Sequence, residues 1–196
     1  FTDSNTGWAV GHKGTILKTM DGGINWNAQT SGTTNYLLSV YFTDSNTGWA
    51  VGGYDDGNTT VNIILKTGDG GINWSSQISG TTNILTSVHF ADSSTGWAVG
   101  DKGTILKTSN GGNDWIPQTS GTTNILWSVN FSDTVNGWTV GETGTILKTM
   151  DGGINWNAQT SGTTNYLFSV YFTNSNTGWA VGDYGTILMT SDGGLN

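Results

Sequence analysis

The sequence predicts an all-β chain built from tandem four-stranded antiparallel units, and three observations predict it. The dipeptide Gly-Trp recurs with its indole at Trp8, Trp49, Trp97, Trp138 and Trp179, at intervals of 41, 48, 41 and 41 residues. Of 196 residues, 31 are glycine and one is proline, while ten tryptophans, six tyrosines and six phenylalanines recur through the units. Disordered chains are poor in aromatic residues, so the Gly, Thr, Asn and Ser content marks tight turns between short strands. No amphipathic helical run of useful length interrupts the pattern.

The elements of one unit follow in order. "YLLSVYF" (36–42) is an apolar stripe bounded by turn residues and is read as the first strand. "TGWAVG" (47–52) is the second, "GTILKT" (14–19 in the preceding unit) the third, and "INWNAQ" (24–29) the fourth. "TDSN", a two-residue "HK"-type connection, "MDGG" and "TSGTTN" supply the turns between them. The stretch 14–36 returns unchanged at 144–166, so whole units were copied as a block or homogenised. In one unit "GGYDDGNTTVNIILKT" (52–67) replaces "GHKGTILKT" (11–19) and is seven residues longer. Four antiparallel strands in about 40 residues, repeated in tandem, are the pattern of a β-propeller blade. A β-solenoid is the alternative, ranked behind because its coils are shorter and carry fewer hairpin turns. The units run 1–35, 36–83, 84–124, 125–165 and 166–196, the first and last incomplete, within an expected ring of five to eight blades of a longer array.

One motif closes every third strand. Thr19-x-Asp21-x-Gly23-x-x-Trp26 recurs as Thr67, Asp69, Gly71, Trp74, then as Thr108, Asn110, Gly112, Trp115. It recurs again as Thr149, Asp151, Gly153, Trp156, and finally as Thr190, Asp192, Gly194. The carboxylate is expected to accept hydrogen bonds from the Gly-Gly turn, the second glycine to allow positive φ, and the indole to cover the turn and fill the space between blades. Asn110 in the carboxylate position is expected to weaken its turn slightly. The motif resembles the Asp-box, or bacterial neuraminidase repeat. With "GWAVG…GTILKT" beside it, the whole chain resembles the β-propellers of the photosystem II assembly and stability factors and their bacterial relatives. That resemblance implies that the boxes are structural, one per blade around the periphery. It also implies that the turns between second and third strands rim the opposite face, and that first strands line a central channel.

Net charge is −8, with six Lys and no Arg. An acidic chain without guanidinium groups is a poor nucleic-acid binder, and anionic membranes are disfavoured for the same reason. Sialidases hold the sugar carboxylate with arginines, so that activity is excluded from these residues. The photosystem assembly role is not transferred either, because those relatives carry an Arg-rich surface. There is no Cys, and no apolar stretch approaches the roughly 18–20 residues that span a bilayer.

Asp3, Asp44, Asp92 and Asp133 share one "TDSN"-like turn and read as turn formers, while Asp114 lies inside a box. Asp101, Glu142 and Asp183 occupy the variable turn after the second strand and, with Asp55 and Asp56, either line one face or sit on solvated hairpin tips. The insertion "YDDGNTT" (54–60) lacks the ligand ladder of a calcium loop, and His12 and His89 lie at unmatched positions, so no metal or cofactor is expected. The copies differ at that turn and along the first strand, where Leu38, Thr86, Trp127 and Phe168 correspond, as do Tyr41, His89, Asn130 and Tyr171. Variable loops on a constant scaffold are where binding is commonly built, so Tyr54, Asp55, Asp56, Trp127, Asp183 and Tyr184 are the expected binding face. The expected function is a non-catalytic bacterial scaffold, extracellular or on the cell surface, that contacts protein or neutral glycan. A glycoside hydrolase fragment with its acids elsewhere and a self-associating filament subunit are the alternatives.

Overall fold

The structure, a computed structural model, describes residues 1–194; the last two positions of the fifth unit, 195 and 196, lie outside the described residues. Five antiparallel sheets follow one another along the chain, and the first and last hold three strands where the others hold four. In blade 3 the strands run Leu85–Phe90, Gly96–Gly100, Ile105–Thr108 and Ile116–Gln118, each paired only with its sequence neighbours. The chain is therefore a run of β-propeller blades. Among the described residues no helix is long and apolar enough to cross a membrane.

The second strand explains why the blades stack. In blade 3 all five residues of Gly96–Gly100 are buried, because a blade is covered on both faces by its neighbours. The apolar clusters accordingly cross from blade to blade. Trp49, Val51 and Ile64 of blade 2 pack with Val88, Phe90, Leu106 and Trp115 of blade 3.

The junctions of blades 1–2, 2–3 and 3–4 are three-ring arrangements, and among the described residues that of blades 4–5 pairs Trp138 with Phe172 alone, at 3.5 Å. The Gly-Trp indole of one blade lies flat on the phenylalanine ending the next blade's first strand, with centroids 3.5 Å apart for Trp49 on Phe90 and 3.4 Å for Trp97 on Phe131. The box tryptophan of that next blade meets the same ring edge-on, Trp115 on Phe90 at 5.9 Å and Trp156 on Phe131 at 5.8 Å. The box tryptophans do help to fill the space between blades, as expected: Trp115 is 6% and Trp156 9% exposed, and both belong to the clusters that cross the junctions, where the Gly-Trp indole packs with them. The Gly-Trp Nε1 also donates across the junction to the box of the next blade, Trp49 to the Gly111 carbonyl and Trp97 to that of Gly152, both at 3.1 Å. A Cβ on Gly112 would stand 2.9 Å from the Trp49 Nε1 and 3.4 Å from the Trp115 Nε1, and Gly112 has φ +88°. Glycine is required there by both space and conformation. The ammonium groups of Lys18, Lys66, Lys107 and Lys148 stand 5.1–5.8 Å over the same four indoles.

The boxes differ in detail from expectation. The Thr19 hydroxyl caps the second glycine, accepting from the Gly23 N–H at 2.9 Å. Among the described residues only in the fifth box does the carboxylate share it as expected, Asp192 accepting from the Gly194 N–H at 3.2 Å. Asp21 accepts from the Asn25 backbone and side-chain amides at 2.9 and 2.7 Å, beyond the Gly-Gly pair. In blade 3 the two residue types exchange places. Asn110 Nδ2 donates to Asp114 at 2.8 Å and Asn110 Oδ1 accepts from the Asp114 N–H at 3.0 Å, so the bonds of the turn survive with the charge on the other partner. These bonds hold the carboxylates ionised: the Asn73 amides pull Asp69, and the Asn155 amides pull Asp151, down to about 2. Ile24, Asn25 and Trp26 belong to this turn, so the fourth strand is only Asn27–Gln29, shorter than 24–29.

Because the threonine hydroxyl is the turn's anchor, its loss is the informative substitution. Thr108 is 1% exposed and its Oγ1 accepts from Gly112 at 2.8 Å. Thr108→Val keeps the shape but leaves the Gly112 N–H without its partner, with an expected cost of about 1–3 kcal/mol in a urea unfolding curve. A change below experimental error would show that the hydroxyl is dispensable.

The inner strands of blades 3, 4 and 5 are also tied to the blade before them. Ser39, Ser87 and Ser128 accept through Oγ from the Val88, Val129 and Val170 N–H groups of the following blade at 3.2, 3.3 and 3.2 Å. Asn130 Oδ1 accepts from the Phe172 N–H at 2.8 Å. An edge strand otherwise presents free N–H groups, and these side chains occupy them.

Candidate functional site

The rim formed by the turns between second and third strands gathers the features that the scaffold does not use. The "HK"-type connection is a three-residue 3-10 turn, His12–Gly14, Asp101–Gly103, Glu142–Gly144 and Asp183–Gly185 in the four short copies. Its middle residue adopts positive φ without being glycine: Lys13 at 55°, Lys102 at 54°, Thr143 at 50° and Tyr184 at 54°. Such a conformation is uncommon for side chains other than Asn and Asp, and strained residues of this kind cluster at functional surfaces. Tyr184 is 93% exposed.

The start of each first strand lies at the same end. The Asp101, Glu142 and Asp183 N–H groups donate to the carbonyls of Ile84, Ile125 and Tyr166 at 3.0, 3.0 and 2.9 Å. Pairing of the first two strands skips residue 127 between Leu126 and Ser128, and residue 168 between Leu167 and Ser169; the same bulge falls at 38 and 86. A bulge turns its extra residue out of the pleat; Leu38 and Phe168 are 46% exposed there, while Thr86 is buried and donates to the carbonyls of Val99, at 3.1 Å, and Leu126. Trp127 meets Phe168 of the next blade at 6.1 Å and Phe168 meets Tyr166 at 6.5 Å, forming an aromatic row across blades 4 and 5. In blades 1 and 2 His12 stacks on Tyr36 at 4.2 Å.

The insertion of blade 2 lengthens its second and third strands to Gly48–Asp55 and Thr60–Thr67, making an extended hairpin. Both acids at its tip are spent on the turn. Asp55 accepts from the Gly57 N–H at 2.8 Å and the Thr60 hydroxyl at 3.0 Å, and Asp56 from the N–H groups of Asn58 and Thr59 at 2.9 and 2.8 Å. Asp101 faces this hairpin from one side and blade 4 from the other. Its carboxyl is pushed above the usual carboxylate range by burial first and by the charges of Glu142 and Asp55, against the opposing pull of Lys102. Glu142 accepts from the Ile125 N–H at 3.1 Å.

Of the residues expected at a binding face, Trp127, Asp183 and Tyr184 lie on the rim of blades 4 and 5, and Tyr54, Asp55 and Asp56 on the hairpin of blade 2. Among the described residues no hydrogen bond or ring contact joins the two groups. Tyr166 and Phe168 complete the row beside Trp127 and were not among them. Phe168 stands in a column that the sequence already shows as variable, with Leu38, Thr86 and Trp127; its contacts with Trp127 and Tyr166 are visible only in the structure.

Comparison with known proteins places this geometry. The family model described as photosynthesis system II assembly factor YCF48 matches residues 1–79 and 117–196. Among solved structures, YCF48 bound to D1 peptide shares 22% identity at a TM-score of 0.72, covering 96% of this chain and 60% of that one. YCF48 from Cyanidioschyzon merolae shares 21% identity at a TM-score of 0.73, covering 96% of this chain and 66% of that one. The chain thus spans less than two thirds of the length of either. The GH74 enzyme of Niastella koreensis shares 16% identity at a TM-score of 0.75, covering 99% of this chain and 36% of that one. At these identities the likeness is one of fold. No curated protein matches the sequence.

Proposed function

This chain belongs to the photosynthesis system II assembly factor YCF48 family, and on that premise we propose that it is a non-catalytic propeller whose strand 2–3 rim docks a protein segment. One observation carries the reading: exposed aromatic side chains and strained turns collect on that rim, while the box carboxylates are spent on their own turns. A peptide-bound structure exists for a family relative, YCF48 bound to D1 peptide, which supports a polypeptide partner over a small molecule. An acidic, Arg-free chain rich in Thr, Asn and Gly is in keeping with a place outside the cell or on its surface. Protease treatment of intact cells that leaves the protein uncut would remove that location.

The second reading is a glycoside hydrolase, favoured by the fold shared with a GH74 enzyme and by the mutual repulsion of Asp101, Glu142 and Asp55. Glycosidases work with one protonated and one ionised carboxyl group flanking the bond. Here Asp55 and Glu142 are already engaged by their own backbone. Incubation with xyloglucan and other neutral polysaccharides is expected to release no reducing sugar. Release that disappears in Asp101→Asn or Glu142→Gln would replace the docking reading with the hydrolytic one.

A further inference from the structure

We propose that the rim of blades 4 and 5 docks a peptide segment carrying a lysine or arginine beside an apolar side chain. The inference rests on reading this rim as a docking face and adds the chemistry of what it holds.

The charge on the rim is uneven, and the reason is where the lysines go. The chain has six, Lys13, Lys18, Lys66, Lys102, Lys107 and Lys148. Four of them stand over the junction indoles Trp8, Trp49, Trp97 and Trp138, which fixes their ammonium groups between blades. The two remaining, Lys13 and Lys102, occupy the strained middle position of the rim turn in blades 1 and 3. In blades 4 and 5 that position holds Thr143 and Tyr184, so Glu142 and Asp183 stand in their turns without a cation beside them. This sector of the rim is therefore anionic, and no arginine exists anywhere in the chain to neutralise it.

The same sector carries the aromatic row. Phe168 is 46% exposed, Tyr166 40% and Tyr184 93%. Leu38 and Tyr36, at the matching positions of blade 2, are likewise 46% and 40% exposed. On the interior first strands the matching Thr86 is 8% exposed and Trp127 only partly so. The Trp127 ring of blade 4 packs against Phe168 at 6.1 Å and so continues the apolar surface inward. An apolar side chain seated on Phe168 and Tyr166 supplies the affinity. A guanidinium or ammonium group facing Glu142 and Asp183 supplies orientation and faster encounter, and can stack on the exposed tyrosine faces.

The test is selection of a random peptide library on the immobilised protein, followed by titration of the enriched peptides at low and high salt. Enriched sequences are expected to pair a basic with an aromatic or branched residue and to bind more weakly as salt rises. Their affinity is expected to fall about tenfold in the double variant Glu142→Gln with Asp183→Asn, and about tenfold in Phe168→Thr, which copies the residue that blade 3 carries there. Neutral or acidic peptides whose binding is lost in Phe168→Thr would overturn the basic partner and leave the docking face standing. Enriched peptides indifferent to all three substitutions, or no enrichment over bare matrix, would overturn both. A near-UV circular dichroism spectrum matching that of the parent shows that each variant retains its aromatic packing.

Discussion

Trp97→Ala is expected to lower stability by about 3–5 kcal/mol, the range for removing a buried large aromatic side chain. Trp97 is fully buried, lies flat on Phe131 at 3.4 Å, donates to the Gly152 carbonyl at 3.1 Å, and carries Lys107 over its other surroundings at 5.6 Å. Its removal opens a cavity at the junction of blades 3 and 4 and also leaves the Gly152 carbonyl without its partner. In a chain of this length, that corresponds to a fall in Tm of about 6–20 °C. Because blades touch mainly their neighbours, the loss acts on one junction, and calorimetry is expected to show a broadened or divided transition as that junction parts first. Trp97→Phe separates the terms, since it keeps much of the stacking and loses the N–H. Its cost is expected to be well below that of Trp97→Ala. Equal costs would mean that the hydrogen bond, and not ring packing, holds the junction.

Acid sensitivity between pH 6.5 and 4 is expected to come from His89. Its ring is buried between Tyr41, at 4.6 Å, and Phe131, at 6.3 Å, and its Nδ1 has no partner. Burial alone pulls it from the ordinary 6.5 down to about 4. As pH falls below 6.5 the unfolded chain takes up a proton that the folded chain refuses, so stability falls. The loss is complete near pH 4, where the folded form protonates too, and amounts to about 3 kcal/mol for a shift of this size. His89→Asn places there the residue blade 4 carries as Asn130. Urea unfolding at a series of pH values is expected to show a flatter profile for this variant across that window. An unchanged slope would place the acid sensitivity elsewhere. The box carboxylates act in a separate, lower range, since their bonds depress them: the stability they give is present above the ordinary carboxylate range and is lost as pH falls toward about 2.

Much of this molecule is legible in one dimension because its units repeat. The interval between Gly-Trp dipeptides, the turn residues and the apolar strands together specify short antiparallel sheets, and local hydrogen bonding is enough to form them. The box was legible as a turn for the same reason, its partners lying within five residues of one another. Where the reading of the box went astray, the error concerned which atom bonds which. A threonine hydroxyl and an aspartate two residues apart both fit as acceptors until the backbone is drawn. The exchange of Asn110 with Asp114 follows the same logic, since either order satisfies the same geometry.

The chain alone therefore determined a run of acid-and-glycine turns and four-stranded sheets, because those are set by contacts between neighbours in sequence. Tertiary structure decided everything that passes between blades: which indole lies on which phenylalanine, which serines tie inner strands together, where four of six lysines are placed, and which side chains the bulges turn outward. Those contacts join residues some forty to sixty positions apart, as between Trp49 and Gly111 or Ser87 and Val129. Identical letters in successive units conceal them, because a repeat shows that a residue matters without showing what it touches.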